Sequence, residues 1–170
     1  MPDSKTPTLI RHGRLEVDTW QRFEPTEGQP LPPEAGDWLV PLSVWQAASA
    51  QLRERARPVG VLLGPADDPA ALADGGRIDS RGLALIAIDF PAYTDGRGYS
   101  IAYLLRTRYG WTGELRAVGD VMIDTVYYQA RSGFDSFAVK PGHDPQAALQ
   151  ALATFSAAYQ KSYPLPEAVA

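Results

Sequence analysis

Short apolar runs alternate with amphipathic segments through most of this chain. The run at 83–90 is almost wholly apolar, which is typical of a strand covered on both faces. Shorter runs lie at 38–40, 59–63, 114–118 and 134–139. The segments between them carry apolar residues at helical spacing, at about 44–56, 99–109, 121–131 and 145–160, with a short helix from Pro69. This alternation predicts an α/β domain with a parallel sheet and right-handed crossovers.

The number of strands limits the architecture of that domain. About five mainly parallel strands can form an open, flavodoxin-like sheet or a curved sheet that resembles part of a barrel. We favour the open sheet, because five strand–helix units are too few to close an eight-stranded barrel.

The first 36 residues follow a different pattern. Charged and apolar residues alternate around Leu15 and Val17, which predicts a β-hairpin within 8–23 that turns at His12-Gly13. Residues 24–37 are rich in proline and glycine, as in a linker. We therefore divide the chain into an N-terminal hairpin and linker at 1–36, an α/β domain at 37–163 and a frayed tail at 164–170.

Composition narrows the classes of function. The net charge of −4 and the pI near 5.1 argue against a nucleic-acid binder. The chain has no cysteine, and therefore no disulfide, no redox thiol and no cysteine-ligated iron–sulfur cluster. The two histidines, His12 and His143, do not have the spacing of metal ligands. The segment 96–101 matches only the first two glycines of a dinucleotide fingerprint, so no cofactor is predicted.

The apolar stretches are short. The longest, 83–88, is far below the ~20 residues of a membrane-spanning helix. The first residues lack the apolar core of a signal peptide. We therefore expect a cytoplasmic protein that does not contact a membrane.

Polar groups follow three of the predicted strands. Asp89 precedes a loop, Thr94 to Ser100, that holds two glycines around Arg97 and leads into a helix. Arg116 precedes Gly119-Asp120, and Lys140 precedes Gly142-His143. In a parallel sheet these strand ends share the carboxyl edge, where ligands usually bind. Helix N–H groups and the guanidinium of Arg97 predict a pocket there for a small oxyanion.

The same residues have a structural interpretation. Asp95-Gly96 is a common turn pair, Asp120 can cap a helix, and Arg97 can pair with a carboxylate. No catalytic residue and no metal is assigned. The candidate anion site consists of Asp89, Thr94, Asp95, Arg97, Tyr99, Ser100, Arg116 and Asp120.

Aromatic residues are dense in the second half of the chain. Tyr99 and Tyr103 are one helical turn apart and share a face. Packing in the core is the favoured interpretation, and a stacking or partner surface is the alternative. The set is Tyr93, Tyr99, Tyr103, Tyr109, Trp111, Tyr127 and Tyr128.

Several ordered motifs resemble a bacterial family of unknown function. They are Asp89-Phe90-Pro91, the segment 94–100, Leu104-Leu105-Arg106, the segment 113–121 and the segment 133–137. The resemblance runs from about residue 38 to residue 159. Genes of this family lie beside those of sulfite reductase and phosphoadenylyl-sulfate reductase, and its members are often labelled as oxidoreductases of sulfite reduction. The family has no established catalytic residues to carry over.

The resemblance implies an accessory protein of assimilatory sulfate or sulfite reduction. Such a protein would assist a reductase and bind a small oxyanion, with sulfite reductase or another sulfate-assimilation protein as its partner. The alternative is an enzyme that acts on an anionic small molecule through arginine and aspartate residues at the strand ends. A third hypothesis is a homodimer whose sheet edge or aromatic surface recruits partners.

Overall fold

The computed structural model describes residues 6–154. Within this range the chain forms ten strands, four α-helices and a 3₁₀ turn at Pro69–Leu72. The strands are β1 Leu9–Arg11, β2 Arg14–Glu16, β3 Trp20–Arg22, β4 Asp37–Pro41, β5 Val59–Leu63, β6 Ala73–Asp74, β7 Arg77–Ile78, β8 Leu83–Phe90, β9 Glu114–Gly119 and β10 Ser136–Ala138. The helices are α1 Leu42–Arg53, α2 Arg97–Thr107, α3 Ile123–Arg131 and α4 Pro145–Thr154.

Eight of these strands form one sheet, in the order β2-β1-β10-β9-β8-β5-β4-β3. Strands β3, β4, β5, β8, β9 and β10 are parallel, and β1 is antiparallel to both β2 and β10. The α/β class, the five predicted strands and the N-terminal hairpin are confirmed. The predicted sheet of about five strands is too small, since the two hairpin strands and β3 join the five and give a sheet of eight.

The parallel strands lie in the sheet in the order in which they occur along the chain. A flavodoxin-like sheet requires a point where this order reverses, so that helices cover both faces. No such reversal occurs among the eight strands, and the favoured flavodoxin-like arrangement is wrong. The sheet is a curled half-barrel, which is the alternative drawn from the sequence.

The main core lies between the sheet and the helices. One set of alternating strand residues, including Val61, Ile86 and Leu115, packs against helix residues such as Leu52 and Leu105. A second cluster on the opposite face is small and consists of strand residues and their neighbours. It contains Leu39, Leu85, Ala87 and Val118, with Trp20, Leu62 and Ala138 packed beside them. The helices thus cover the convex face, and the concave face has its own apolar patch.

A short connection shows how strongly the sheet is curled. Strands β2 and β3 are its two edges, yet only residues 17–19 link them. Four extended residue steps span at most about 14 Å. Seven strand spacings across a flat sheet would separate the edges by about 34 Å. Curling therefore brings the two edges together and lets β3 contact the concave face of distant strands.

The helix starts differ slightly from the prediction. Helix α1 begins at Leu42 after Pro41, and not after a Ser43 cap. Helix α2 begins at Arg97 rather than Tyr99, because the fixed loop before it continues directly into the first turn. No helix within residues 6–154 has both the length and the apolar character needed to cross a membrane. The predicted tail at 164–170 and the end of the last helix lie outside the described residues.

Candidate functional site

A cleft of about 390 Å³ opens at the carboxyl ends of β8, β9 and β10. We call it the mouth cleft, because it lies at the mouth of the half-barrel. Its position follows from the topology: parallel strands bring the residues that follow them to one edge, where barrel proteins place their active sites. The mouth cleft is lined by Asp89, Phe90, Pro91, Gly119, Asp120, Lys140 and Pro141.

Among the described residues that line the mouth cleft, Asp120 and Lys140 form an ion pair. The Nζ of Lys140 donates to Oδ1 of Asp120 at 2.6 Å, and the N–H of Tyr93 donates to Oδ2 at 2.6 Å. The hydrogen bond from Lys140, and then that from Tyr93, lower the pKa of the Asp120 carboxyl. Asp120 is therefore a carboxylate at neutral pH, and it does not cap a helix as one interpretation of the sequence suggested.

Asp89 reaches the mouth cleft from β8 and is held from across the mouth. An Nη of Arg22, on β3, donates to Oδ1 of Asp89 at 2.8 Å. Gly119 makes room for this carboxylate, since a Cβ on Gly119 would lie 2.5 Å from both Oδ1 of Asp89 and the carbonyl oxygen of Phe90. Gly119 has φ of +92°, which also favours glycine. The backbone at the end of β9 therefore determines the place of Asp89.

Arg116 lies on the concave face and not in the mouth cleft. Its side chain is only 1% exposed. It donates to Oε1 of Glu114 at 2.7 Å and to Oδ1 of Asp18 at 3.1 Å, and its Nε donates to Oγ of Ser136 at 3.2 Å. Its guanidinium carbon lies 5.9 Å from the centre of the Trp20 ring. The sequence predicts Arg116 in an anion pocket at the end of its strand. In the structure, the alternation of side chains along β9 directs Arg116 to the concave face, where it contacts these partners instead.

Arg116, Glu114, Asp18 and Ser136 form a buried polar cluster, in which Glu114 accepts hydrogen bonds from both Arg116 and Ser136. Burial raises the pKa of its carboxyl, but the hydrogen bond from Ser136 and the positive charge of Arg116 outweigh burial and lower the pKa overall. Arg11 on β1 approaches the other oxygen at 3.4 Å. Glu114 is therefore a carboxylate at neutral pH, and the cluster joins β1, β9, β10 and the connection between the two edge strands.

The two charged residues at the start of α2, Asp95 and Arg97, pair with each other. An Nη of Arg97 donates to Oδ2 of Asp95 at 2.7 Å, and the Arg97 N–H donates to Oδ1 at 3.1 Å. These hydrogen bonds lower the pKa of Asp95 and raise that of Arg97. Thr94 is exposed, and neither it nor the ion pair lines the mouth cleft. The structure thus brings Asp89, Asp120 and Lys140 together and leaves Arg97 paired on the outside.

Tyr99 and Ser100 line a different surface feature. Tyr99 packs edge-on against Phe90, with ring centres 5.3 Å apart, and burial raises the pKa of its phenol. Tyr99 and Ser100 border a groove on the helix-covered face that includes residues of α2 and the end of α3. Of the aromatic set, Tyr109 and Trp111 are buried, which agrees with packing in the core, whereas Tyr93, Tyr103 and Tyr128 are exposed.

Two residues of the mouth were not in the predicted site. Lys140 follows β10, and the sequence indicates only that it is a polar group near the end of a strand. Arg22 lies on β3, a strand of three residues at one edge of the sheet that pairs with β4 and not with β8. No local pattern in the sequence therefore indicates that Arg22 contacts Asp89. Only the curl of the sheet brings the two together.

Residues 60–169 match a family model described as a bacterial protein of unknown function, DUF934. The match spans more than half of the chain. The chain belongs to this family. The resemblance stated from the sequence is therefore confirmed. The described residues that line the mouth cleft all fall within the DUF934 match, whereas Asp18 and Arg22 lie outside it.

No curated protein and no solved structure matched the chain. DUF934 membership therefore gives the family without adding an activity or a ligand to the geometry of the mouth cleft.

Proposed function

We propose that this protein is an accessory protein of assimilatory sulfate or sulfite reduction, which assists a reductase and binds a small oxyanion in the mouth cleft. The observation that carries the binding step is the ion pair between Lys140 and Asp120 within the cleft. The Lys140 side chain is 38% exposed, so its ammonium group is accessible to a ligand from solvent. A sulfite or sulfate oxygen can take the place of one carboxylate oxygen on the ammonium group.

The surroundings of Lys140 suit such an exchange. Asp120 receives a second hydrogen bond from the N–H of Tyr93, which would keep the carboxylate in place when Lys140 turns to a ligand. Arg22, which is 48% exposed, brings a second positive charge to the mouth through its contact with Asp89. Two partly exposed cations, each already paired with a carboxylate, support a weak, reversible anion site rather than a permanent one.

The pathway in this proposal rests on the resemblance to a family encoded beside sulfite reductase genes. The accessory role is supported by the composition: a chain without cysteine offers neither a redox thiol nor a cysteine ligand for an iron–sulfur cluster. In this proposal the partner reductase transfers the electrons, and the present chain supplies binding and contact.

Isothermal titration of sulfite, sulfate and phosphate at constant ionic strength tests the oxyanion site. The wild type should bind a divalent oxyanion saturably, and Lys140→Met should weaken binding at least about tenfold. Arg81→Met is the matched control, because Arg81 is 81% exposed and paired with Asp79 away from the cleft. Equal binding by the wild type and Lys140→Met, or no saturable binding by the wild type, would contradict the oxyanion step.

Deletion of the gene tests the accessory role. The deletion strain should grow poorly on sulfate as the sole sulfur source and normally on cysteine, and the purified protein should bind purified sulfite reductase. Unchanged growth on sulfate together with no binding to any sulfite reductase component would contradict the role.

An enzyme that acts on an anionic small molecule is the second candidate. It is favoured by the presence of two carboxylates, Asp89 and Asp120, with an ammonium group in the same cleft. Such a set can bind an anion and move a proton. Incubation with sugar phosphates and nucleotides, followed by nuclear magnetic resonance, separates the candidates. Product formation that Asp89→Asn abolishes would favour the enzyme, and unchanged compounds would favour the accessory protein.

A further inference from the structure

A groove on the helix-covered face has the composition of a protein interface. Two adjoining depressions, of about 390 and 470 Å³, share Tyr99 and Ser132. We call the pair the tyrosine groove. One depression is lined by Tyr99, Ser100, Tyr103, Leu104 and Ser132, and the other by Tyr99, Tyr128, Arg131 and Ser132.

Large aromatic side chains are exposed at both sides of this groove. Tyr103 on α2 is 45% exposed, and Tyr128 on α3 is 60% exposed. Tyr99 lies between them at the floor, where burial raises the pKa of its phenol and keeps it a neutral hydrogen-bond donor. Tyrosines that combine apolar area with a polar end are enriched where proteins bind one another.

The charge of the lining indicates which partners the groove favours. Arg131 is the one charged residue among the described residues that line the groove, in a chain whose net charge is −4. The guanidinium carbon of Arg131 lies 5.7 Å from the centre of the Tyr127 ring. Asp124, one helical turn before Tyr128, does not line either depression. The described lining thus contains arginine and tyrosine without lysine, aspartate or glutamate, which is the composition of an interface core.

The hydroxyl of Ser132 is already used. It donates to the backbone carbonyl of Tyr128 at 2.9 Å, at the end of α3. The groove therefore offers a partner apolar contact, tyrosine hydroxyls and one positive charge. These features complement a segment with an apolar or aromatic anchor beside a carboxylate.

We propose that the tyrosine groove binds a protein segment that carries an apolar or aromatic side chain next to an acidic residue. The anchor contacts Tyr99, Tyr103 and Tyr128, and the carboxylate pairs with Arg131. The assignment of that segment to a reductase rests on the proposed function, but the groove and its chemistry do not.

Selection from a randomised peptide library on the immobilised full chain tests the chemistry. Selected peptides should combine an acidic residue with an aromatic or leucine anchor. Tyr128→Ala and Tyr103→Ala should each weaken them at least about tenfold, as hot-spot tyrosines do. Arg131→Gln should remove the preference for acidic peptides. Circular dichroism and thermal melting would establish that each variant is folded.

Arg108→Gln is the matched control. Arg108 directly follows α2, whereas Arg131 is the last residue of α3, and the guanidinium carbon of Arg108 also lies 5.7 Å from the centre of a tyrosine ring, that of Tyr109. This variant should bind the selected peptides like the wild type. Peptides without acidic residues, or binding that the groove variants do not change, would overturn the proposal.

Purified sulfite reductase separates this proposal from the proposed function. If the reductase binds the wild type and Tyr128→Ala equally, the groove proposal fails and the accessory role stands. If the selected peptides need the groove but no reductase component binds, the accessory role fails and the groove proposal stands.

Discussion

Arg116, on β9, donates a hydrogen bond to Asp18, in the connection between the two edge strands, at 3.1 Å. The two residues come from distant parts of the chain and meet over the concave face of the sheet. Because the Arg116 side chain is only 1% exposed, its charge depends on Asp18 and Glu114 for compensation. This contact holds the N-terminal connection against the centre of the half-barrel.

Arg116→Met should lower the free energy of unfolding by about 3 kcal/mol, because it leaves partly buried carboxylates without their cation. Urea denaturation followed by circular dichroism measures the change. Arg97→Met is the control: it removes an exposed pair with Asp95 and should cost less than about 1 kcal/mol. Equal losses in the two variants would show that the buried cluster does not stabilise the fold.

Gly119→Ala should destabilise the protein by about 2 kcal/mol or more. An alanine at φ of +92° is strained, and its Cβ would lie 2.5 Å from Asp89 and Phe90. Gly96→Ala is the comparison, since its φ is −80° and a Cβ there meets nothing within 4 Å. It should cost less than about 1 kcal/mol in the same urea titration. A similar cost at both positions would contradict the close approach described for Asp89.

Acidification should weaken the buried cluster through Glu114. Its pKa is lowered in the folded protein, so its contribution to stability is complete above the ordinary value of 4.5 and is lost as the pH falls through the lower folded value. The stability of the wild type should therefore fall more steeply below pH 4.5 than that of Glu114→Gln. Urea midpoints measured across this range would test the difference, and parallel curves would speak against it.

Asp120→Asn should strengthen oxyanion binding in the mouth cleft. The substitution removes the negative charge that Lys140 contacts at 2.6 Å, so the ammonium group becomes free to meet a ligand. Titration with sulfate should give an affinity several-fold to about tenfold higher than that of the wild type. Weaker or unchanged binding would mean that Asp120 does not compete with the ligand.

The helices and main strands could be predicted because their apolar spacing is local. Strand β3 could not, since Trp20-Gln21-Arg22 has no apolar run and pairs with β4 through residues far along the chain. The curl of the sheet is decided by strand order, which periodicity does not contain. Open and barrel-like sheets therefore share one sequence pattern.

The candidate site was predicted in part for the same reason. Asp89 and Asp120 follow adjacent parallel strands, and the structure brings both to one cleft. Arg116 lies three residues before the end of β9. Its side chain is on the concave face of the sheet, and this face, rather than its distance from the carboxyl edge, decides which groups it contacts. Arg22 reaches Asp89 only because the sheet is curled.

The pairing of β1 with β10 bears on how the chain folds. Leu9 lies opposite Ala138, about 130 residues away in the sequence. The N-terminal hairpin leaves the ribosome early but finds its sheet partner only after β10 has been made. Such distant pairings slow folding, because a long loop must close before the contact stabilises it. We therefore expect the hairpin to be the last part of the sheet to become protected from hydrogen exchange during refolding.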